Sequence, residues 1–292
     1  MIRFANLTLN GVTNGMIFAA VALALVMIWR ATRIVNFAQG AMLMITTFVA
    51  WEVHARTGSY WLAFACALAA GLVLGAVVER VLIRPVEHAP PLNAVIVTLG
   101  LLLILEAGAG MIWGNQQRSY PPAFSIRGYT IGSTHLLFSP FTLFIVLAVA
   151  GTMVLLLLLF QGTSLGLRMR AAAFAPEVAR LLGVRVGVML TLGWALAALV
   201  GSLAGVLTAP TVFVGPTQFD PILVFGFTAA VIGGLDSPVG AVIGGLLLGC
   251  VLSYLAGYVS SDVTTLGSLL ALIAILMVRP SGLFTRTAGR RV

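Results

Sequence analysis

The stretch GVTNGMIFAAVALALVMIW, residues 11–29, carries no charge before Arg30 and Arg33 close it. A helix needs ~20 mostly apolar residues to cross a hydrocarbon core ~30 Å thick, and this run has that length. A removable leader would end in small residues; Trp29, Arg30 and Arg33 stand there instead, so the run reads as a retained span. Working outward, runs 60–78, 94–113, 141–160, 186–208 and 239–258 have the same character. Three others are shorter or interrupted: 34–51 carries Asn36 and Gln39 near its start, 222–235 is glycine-rich and ends in Asp236-Ser237-Pro238, and 266–278 meets Arg279-Pro280. The expected fold is all-α: a polytopic membrane helix bundle of eight or nine segments, some short or broken, in a single domain over residues 1–292.

Composition agrees. Of 292 residues, 60% are hydrophobic and 8% charged, whereas a soluble domain is about a quarter charged. The net charge is +8 and every base is Arg. The arginines lie in gaps between apolar runs, which points to membrane orientation rather than nucleic acid. One side receives Arg30, Arg33, Arg80, Arg84, the arginines between 168 and 185, and Arg279, Arg286, Arg290 and Arg291. The other keeps Arg3, Arg56, Arg118 and Arg127. The Arg-rich side is expected in the cytoplasm, with nine crossings, the N-terminus outside and the tail inside. Gap 114–140 is then external, either a cap over a pathway, a partner contact or a solvated connector. Gap 161–185 is cytoplasmic.

The chain has no Lys, so it holds no standard Walker A motif and is not expected to hydrolyse ATP. His54, His88 and His135 lack ligand spacing, so no metal site is expected. No other cofactor is implied. Cys66 and Cys250 read as small buried hydrophobes. The pattern favours moving a solute over transforming one.

Four constellations remain. In 162–183, Pro176 suits the first position of a helix and Gly183 the left-handed stop after it, framing a short helix over 176–182. Val178, Leu181 and Leu182 make an apolar stripe, and Glu177 and Arg180 are spaced to pair. Such a ridge either docks into a soluble partner or lies on anionic lipid. Asn36 and Gln39, three apart, would share a helix face, either along a water-filled path or as a collar at headgroup level. In 231–249, Asp236 or Ser237 caps the helix that begins at Pro238. Gly240 with Gly244, and Gly245 with Gly249, are small-xxx-small pairs. Gly233, Gly234, Asp236 and Ser237 then mark either a broken helix lining a solute site or a tightly packed turn. Gly201 with Gly205 repeats the packing signal. Glu106 lies ~18 Å along its helix from Ala94, near mid-bilayer. It is the one acid deep inside a run, expected to be protonated or paired with an Arg or amide.

Taken together these residues resemble a known family. Asn10-Gly11 through Gly15, Arg33-Ile-Val-Asn36-Phe-Ala-Gln39-Gly40, Thr98-Leu-Gly100, Arg170 through Gly183, Gly201 through Gly205, Gly233 through Gly240, and Arg279-Pro-Ser-Gly-Leu-Phe284 look like the membrane subunits of high-affinity branched-chain amino acid ABC importers, the shorter of the two permeases. The resemblance implies a second, paralogous permease, two cytoplasmic ATPase subunits and an external substrate-binding protein, in a bacterial inner membrane. It implies that Arg170, Pro176, Glu177, Ala179, Arg180, Leu182 and Gly183 meet an ATPase. It also implies that the amide segment with Asn36 and Gln39, and the glycine-rich break, lie at or near the path, for which Thr98 and Glu106 are further candidates. The chain departs from the family at Gln39, often His, at Ala175, often an acid, and at Glu106, more often an amide. Relatives carrying urea, amides or organic acids keep the solute open. A proton-coupled transporter or membrane enzyme using Glu106 is the rival reading.

Overall fold

Every apolar run forms a helix in the computed structural model, which describes residues 2–87, 89–131, 134–135, 138–279 and 282–284. His88, Pro280, Ser281 and the tail arginines Arg286, Arg290 and Arg291 lie outside the described residues. In order the helices are α1 (Ile2–Thr32), α2 (Gln39–Thr57), α3 (Tyr60–Val78), α4 (Pro91–Trp113), α5 (Pro140–Gly162), α6 (Ser164–Phe174), α7 (Pro176–Leu181), α8 (Val186–Val212), α9 (Asp220–Gly233), α10 (Pro238–Tyr258) and α11 (Thr264–Val278). Among the described residues seven helical segments are long and apolar enough to cross a membrane, and α9 is a shorter apolar helix. α2 falls outside the seven because Glu52, His54 and Arg56 crowd its last turns.

The helix starts follow from side-chain chemistry. Ser59, Ser139, Thr163 and Ser237 each accept a hydrogen bond from a backbone N–H of the first turn that follows, satisfying donors that have no partner within the helix. Proline occupies the first turn of α4, α5, α7, α9 and α10, where its missing N–H costs nothing.

Interactions at the two ends show how the chain alternates. At one end Arg3 donates to the Gly257 carbonyl, Ser253 donates to Leu7, and Arg118 and Val214 exchange backbone hydrogen bonds. Trp51, His54, Tyr60, Trp61, Trp113, Tyr120 and Phe144 gather there in stacked and edge contacts. At the other end Arg33 pairs with Asp236, Arg84 donates to Gly187, and Leu283 donates to the Ile232 carbonyl. Successive long helices therefore run between an arginine-poor, aromatic end and an arginine-rich end.

α1 sits at the centre and packs on α10, α8, α9 and α5; residues 15–28 are all buried. A seam of small residues lets α1 and α10 touch: Gly11 lies against Cys250, Gly15 against Gly249, and Gly245 against Ala19. Without a hydrophobic force between helices in lipid, such close backbone approach is what holds them. On the other side α8 meets α2 where Gly201 faces Gln39 and Gly205 faces Thr47, and it meets α3 where Gly75 faces the Trp194 carbonyl. The outer helices turn their apolar side chains outward, with Leu103, Ile104, Leu155 and Leu270 exposed. Cys66 and Cys250 are free and half-buried, less enclosed than composition suggests.

Candidate functional site

The coupling candidate, at the arginine-rich end, is an elbow built from α6 and α7. The sequence framed only the second of these; α6 starts where Thr163 accepts from the Gly166 amide at 3.1 Å. Ala175, at φ −143°, turns the chain, and Pro176 opens α7. Leu182 is the cap residue rather than the last helical one. Gly183 follows at φ +79°, a left-handed conformation that costs a residue with a Cβ roughly 1–2 kcal/mol. Gly183 donates to Arg180 at 3.0 Å and Val184 to Ala179 at 2.9 Å, the paired hydrogen bonds of a Schellman stop. The short helix is thus closed at its C-terminal end, while Ala175 offers no side-chain cap at its start.

Packing decides which way α7 faces. Ala179 is buried with Met169, Ala172, Val186, Met189 and Leu190. Phe174, Leu181 and Leu182 are 92%, 88% and 78% exposed, with Val178 half out beside them. The apolar ridge points away from the bundle at the arginine-rich end. Glu177 and Arg180 make no ion pair with each other among the described residues. Behind the ridge a cavity of about 390 Å³ lies between Arg168, Leu182, Arg185 and Val188.

The interior polar residues are distributed over three places. Asn36 lies before α2 rather than on it, so Asn36 and Gln39 do not share a helix face. Instead the Asn36 side chain bends in, donating from Nδ2 to Gln39 Oε1 at 3.0 Å and accepting from the Ala38 amide at 3.1 Å. Gln39 Nε2 donates to the Ala197 carbonyl at 3.4 Å, beside Gly201. Both amides are fully buried; they tie the start of α2 to α8. Thr98, also buried, donates to Val95 at 3.0 Å and reaches the Val35 carbonyl at 3.5 Å.

The glycine-rich break lies at the arginine-rich end. α9 stops at Gly233, and Gly234 takes φ +98°. Its terminal carbonyls are not left open: Leu283 donates to Ile232 at 2.9 Å and Phe284 to Gly233 at 3.3 Å. Asp236 accepts from Arg33, and Ser237, not Asp236, caps α10 through the Gly240 amide at 3.0 Å. Gly240 and Gly244 lie against Gly233 and Ala229 of α9.

Among the described residues Glu106 forms no ion pair with an Arg. The acid close enough to act on it is Asp220, at the start of α9. Asp220 was missed in the sequence because it falls in the gap between two apolar runs.

A second missed residue is Glu79, 1% exposed and therefore deeper than Glu106. α3 continues past Val78 through a π turn, Glu79–Ile83. The Glu79 carboxylate accepts two hydrogen bonds from Arg84 Nη2, at 2.9 and 3.1 Å, and one from Thr191 of α8 at 2.6 Å; Arg84 also donates to the Gly187 carbonyl at 2.8 Å. The wide π turn brings Glu79 and Arg84, five apart, onto one side; that spacing was the available signal. No cluster among the described residues has the donors for a metal ion.

A family model described as branched-chain amino acid transport system / permease component matches residues 7–278. Among curated relatives, the high-affinity branched-chain amino acid transport system permease protein LivH of Escherichia coli (strain K12) is 29% identical, over 97% of this chain and 96% of the relative. LivH of Salmonella typhimurium is 28% identical over the same shares. The permease protein BraD of Pseudomonas aeruginosa is 26% identical, again over 97% and 96%. Among solved structures, PsaBC from Streptococcus pneumoniae in complex with Fab superposes with a TM-score of 0.52, at 14% identity, covering 94% of this chain and 91% of that one. That likeness concerns the fold.

Proposed function

The chain belongs to the branched-chain amino acid transport permease family, and from that premise we propose that it is the membrane subunit of an ABC importer carrying branched-chain amino acids across a bacterial inner membrane. It works as one membrane domain beside a second permease. Two cytoplasmic ATPases supply the energy, and an external binding protein delivers the solute at the aromatic, arginine-poor end. The carrying observation is the α6–α7 elbow, whose exposed Phe174, Leu181 and Leu182 form an apolar ridge at the arginine-rich end. A chain without any Lys has no phosphate-gripping loop of its own, so its motor must dock. Arg170, Pro176, Glu177, Ala179, Arg180, Leu182 and Gly183 build or flank that contact. Asn36, Gln39, Thr98, Glu106 and the break at Gly233, Gly234, Asp236 and Ser237 control the path, the buried amides by holding α2 on α8.

The test is reconstitution. Proteoliposomes holding this chain, its partner permease and the ATPases should accumulate leucine when ATP and the binding protein are both present. The chain alone, under a proton gradient, should accumulate none. Uptake by the chain alone would reject the reading in favour of proton coupling through Glu106. Full coupling with urea or an organic acid but not leucine would keep the machine and change its cargo.

A further inference from the structure

A second cavity, of about 580 Å³, opens at the arginine-rich end between α1, α5, α6, α8 and α10. Arg30, Arg33 and Arg170 stand around it, and all three are exposed. Among the described residues Asp236, bound to Arg33, is the one acid near them, and Arg170 bonds only to the Gly166 carbonyl of its own helix, at 3.4 Å. The mouth is therefore strongly cationic and under-neutralised. Beneath it the walls are apolar: Leu23 and Met27 of α1, Leu156 and Phe160 of α5, and Val242 of α10. Leu23 lies about 10 Å along α1 from Arg30, so the trough runs well into the depth of the hydrocarbon.

We propose that this groove binds an anionic phospholipid of the cytoplasmic leaflet, its phosphodiester held by Arg30, Arg33 and Arg170 and its acyl chains laid against α1 between α5 and α10. Charge selects the occupant. Guanidinium forks fit phosphate oxygens, and basic pockets between membrane helices on the cytoplasmic side suit anionic headgroups. The arginine-bearing tail of this chain has the wrong sign. A soluble ATPase does not reach the trough at the depth of Leu23. Because Arg170 belongs to α6, the bound lipid ties the elbow to α1 and sets how firmly it is held.

The probe is an equimolar mixture of dioleoyl phosphatidylglycerol and dioleoyl phosphatidylcholine, added to the full-length chain in detergent and read by native mass spectrometry. Phosphatidylglycerol should be retained preferentially. Arg30→Gln should lower that preference about fivefold, the effect of one base at an anionic surface. Val242→Trp, filling the trough, should abolish retention, whereas Arg127→Gln at the opposite end should not alter it. Should Val242→Trp fail to fold, Arg30→Gln combined with Arg33→Gln decides alone. Equal retention of the two lipids, or a preference that survives the double arginine variant, overturns the proposal. So does soluble glycerol phosphate binding as well as the lipid, which would make this a free-anion site. Loss of ATPase association with lipid retention unchanged would assign the arginines to the protein partner and overturn it equally.

Discussion

Glu79 shows how one side chain can fix the geometry of a helix end. Its carboxylate is buried and answered by Arg84 and Thr191, so α3, its π turn and the start of α8 are locked as a unit. Removing one partner of a buried charge pair is strongly destabilising, typically 3–5 kcal/mol, because the other is left unanswered. Glu79→Ala should therefore lower the thermal midpoint of the purified chain sharply, and Glu79→Gln, which keeps an acceptor for Thr191, should lower it less. Equal melting of both variants and the wild type would show that the network carries no load. At this scale the sequence was legible where a residue's chemistry is local: Ser237 as a cap, Pro176 as an opener, Gly183 as a stop. It was not legible where the partner is far along the chain. Nothing near Glu106 signals Asp220, and nothing near Asn36 signals that it folds back into a loop instead of lying on a helix.

Among the elements, α7 is short, little buried and held at its C-terminal end by the Gly183 stop. An isolated two-turn helix is marginal in water, and here Ala179 is the residue of α7 that is buried. Its structure depends on Gly183, and the proposed docking depends on the outward ridge. The two roles separate experimentally. Gly183→Pro, which fixes φ near −65° where +79° is needed, should disorder the elbow and abolish ATP-driven uptake. Leu181→Asp with Leu182→Asp leaves the stop intact and should instead release the ATPases, seen as loss of co-purification with an unchanged melting curve. Retained ATPase in the second variant would remove the ridge from the interface. The stripe of Val178, Leu181 and Leu182 was readable from spacing, but its outward direction was not, since an apolar stripe normally faces the core.

For the molecule as a whole, the end-to-end pairings require that Ile126 and Leu182 lie on opposite sides of the membrane. With Cys66→Ser and Cys250→Ser as background, Ile126→Cys should react with a membrane-impermeant maleimide in intact cells. Leu182→Cys should react only after permeabilisation. Labelling of Leu182→Cys in intact cells would invert the topology and undo the coupling assignment. Six of the long segments were legible because length and apolarity suffice for them. Runs 34–51 and 222–235 were ambiguous for a physical reason: α2 and α9 are shielded by neighbours, so they need not be as long or as greasy as helices that meet lipid.

The burial of α1 has a temporal side. A ribosome delivers this helix first, yet α8, α9 and α10, which enclose it, emerge late. Until they arrive, Gly11 and Gly15 present a bare notch to lipid with nothing seated in it. Biogenesis of this protein is thus a waiting game in which the opening helix finds its place only when the closing third of the polypeptide has been threaded, and a nascent chain stopped short of α10 is left as a target for quality-control proteases.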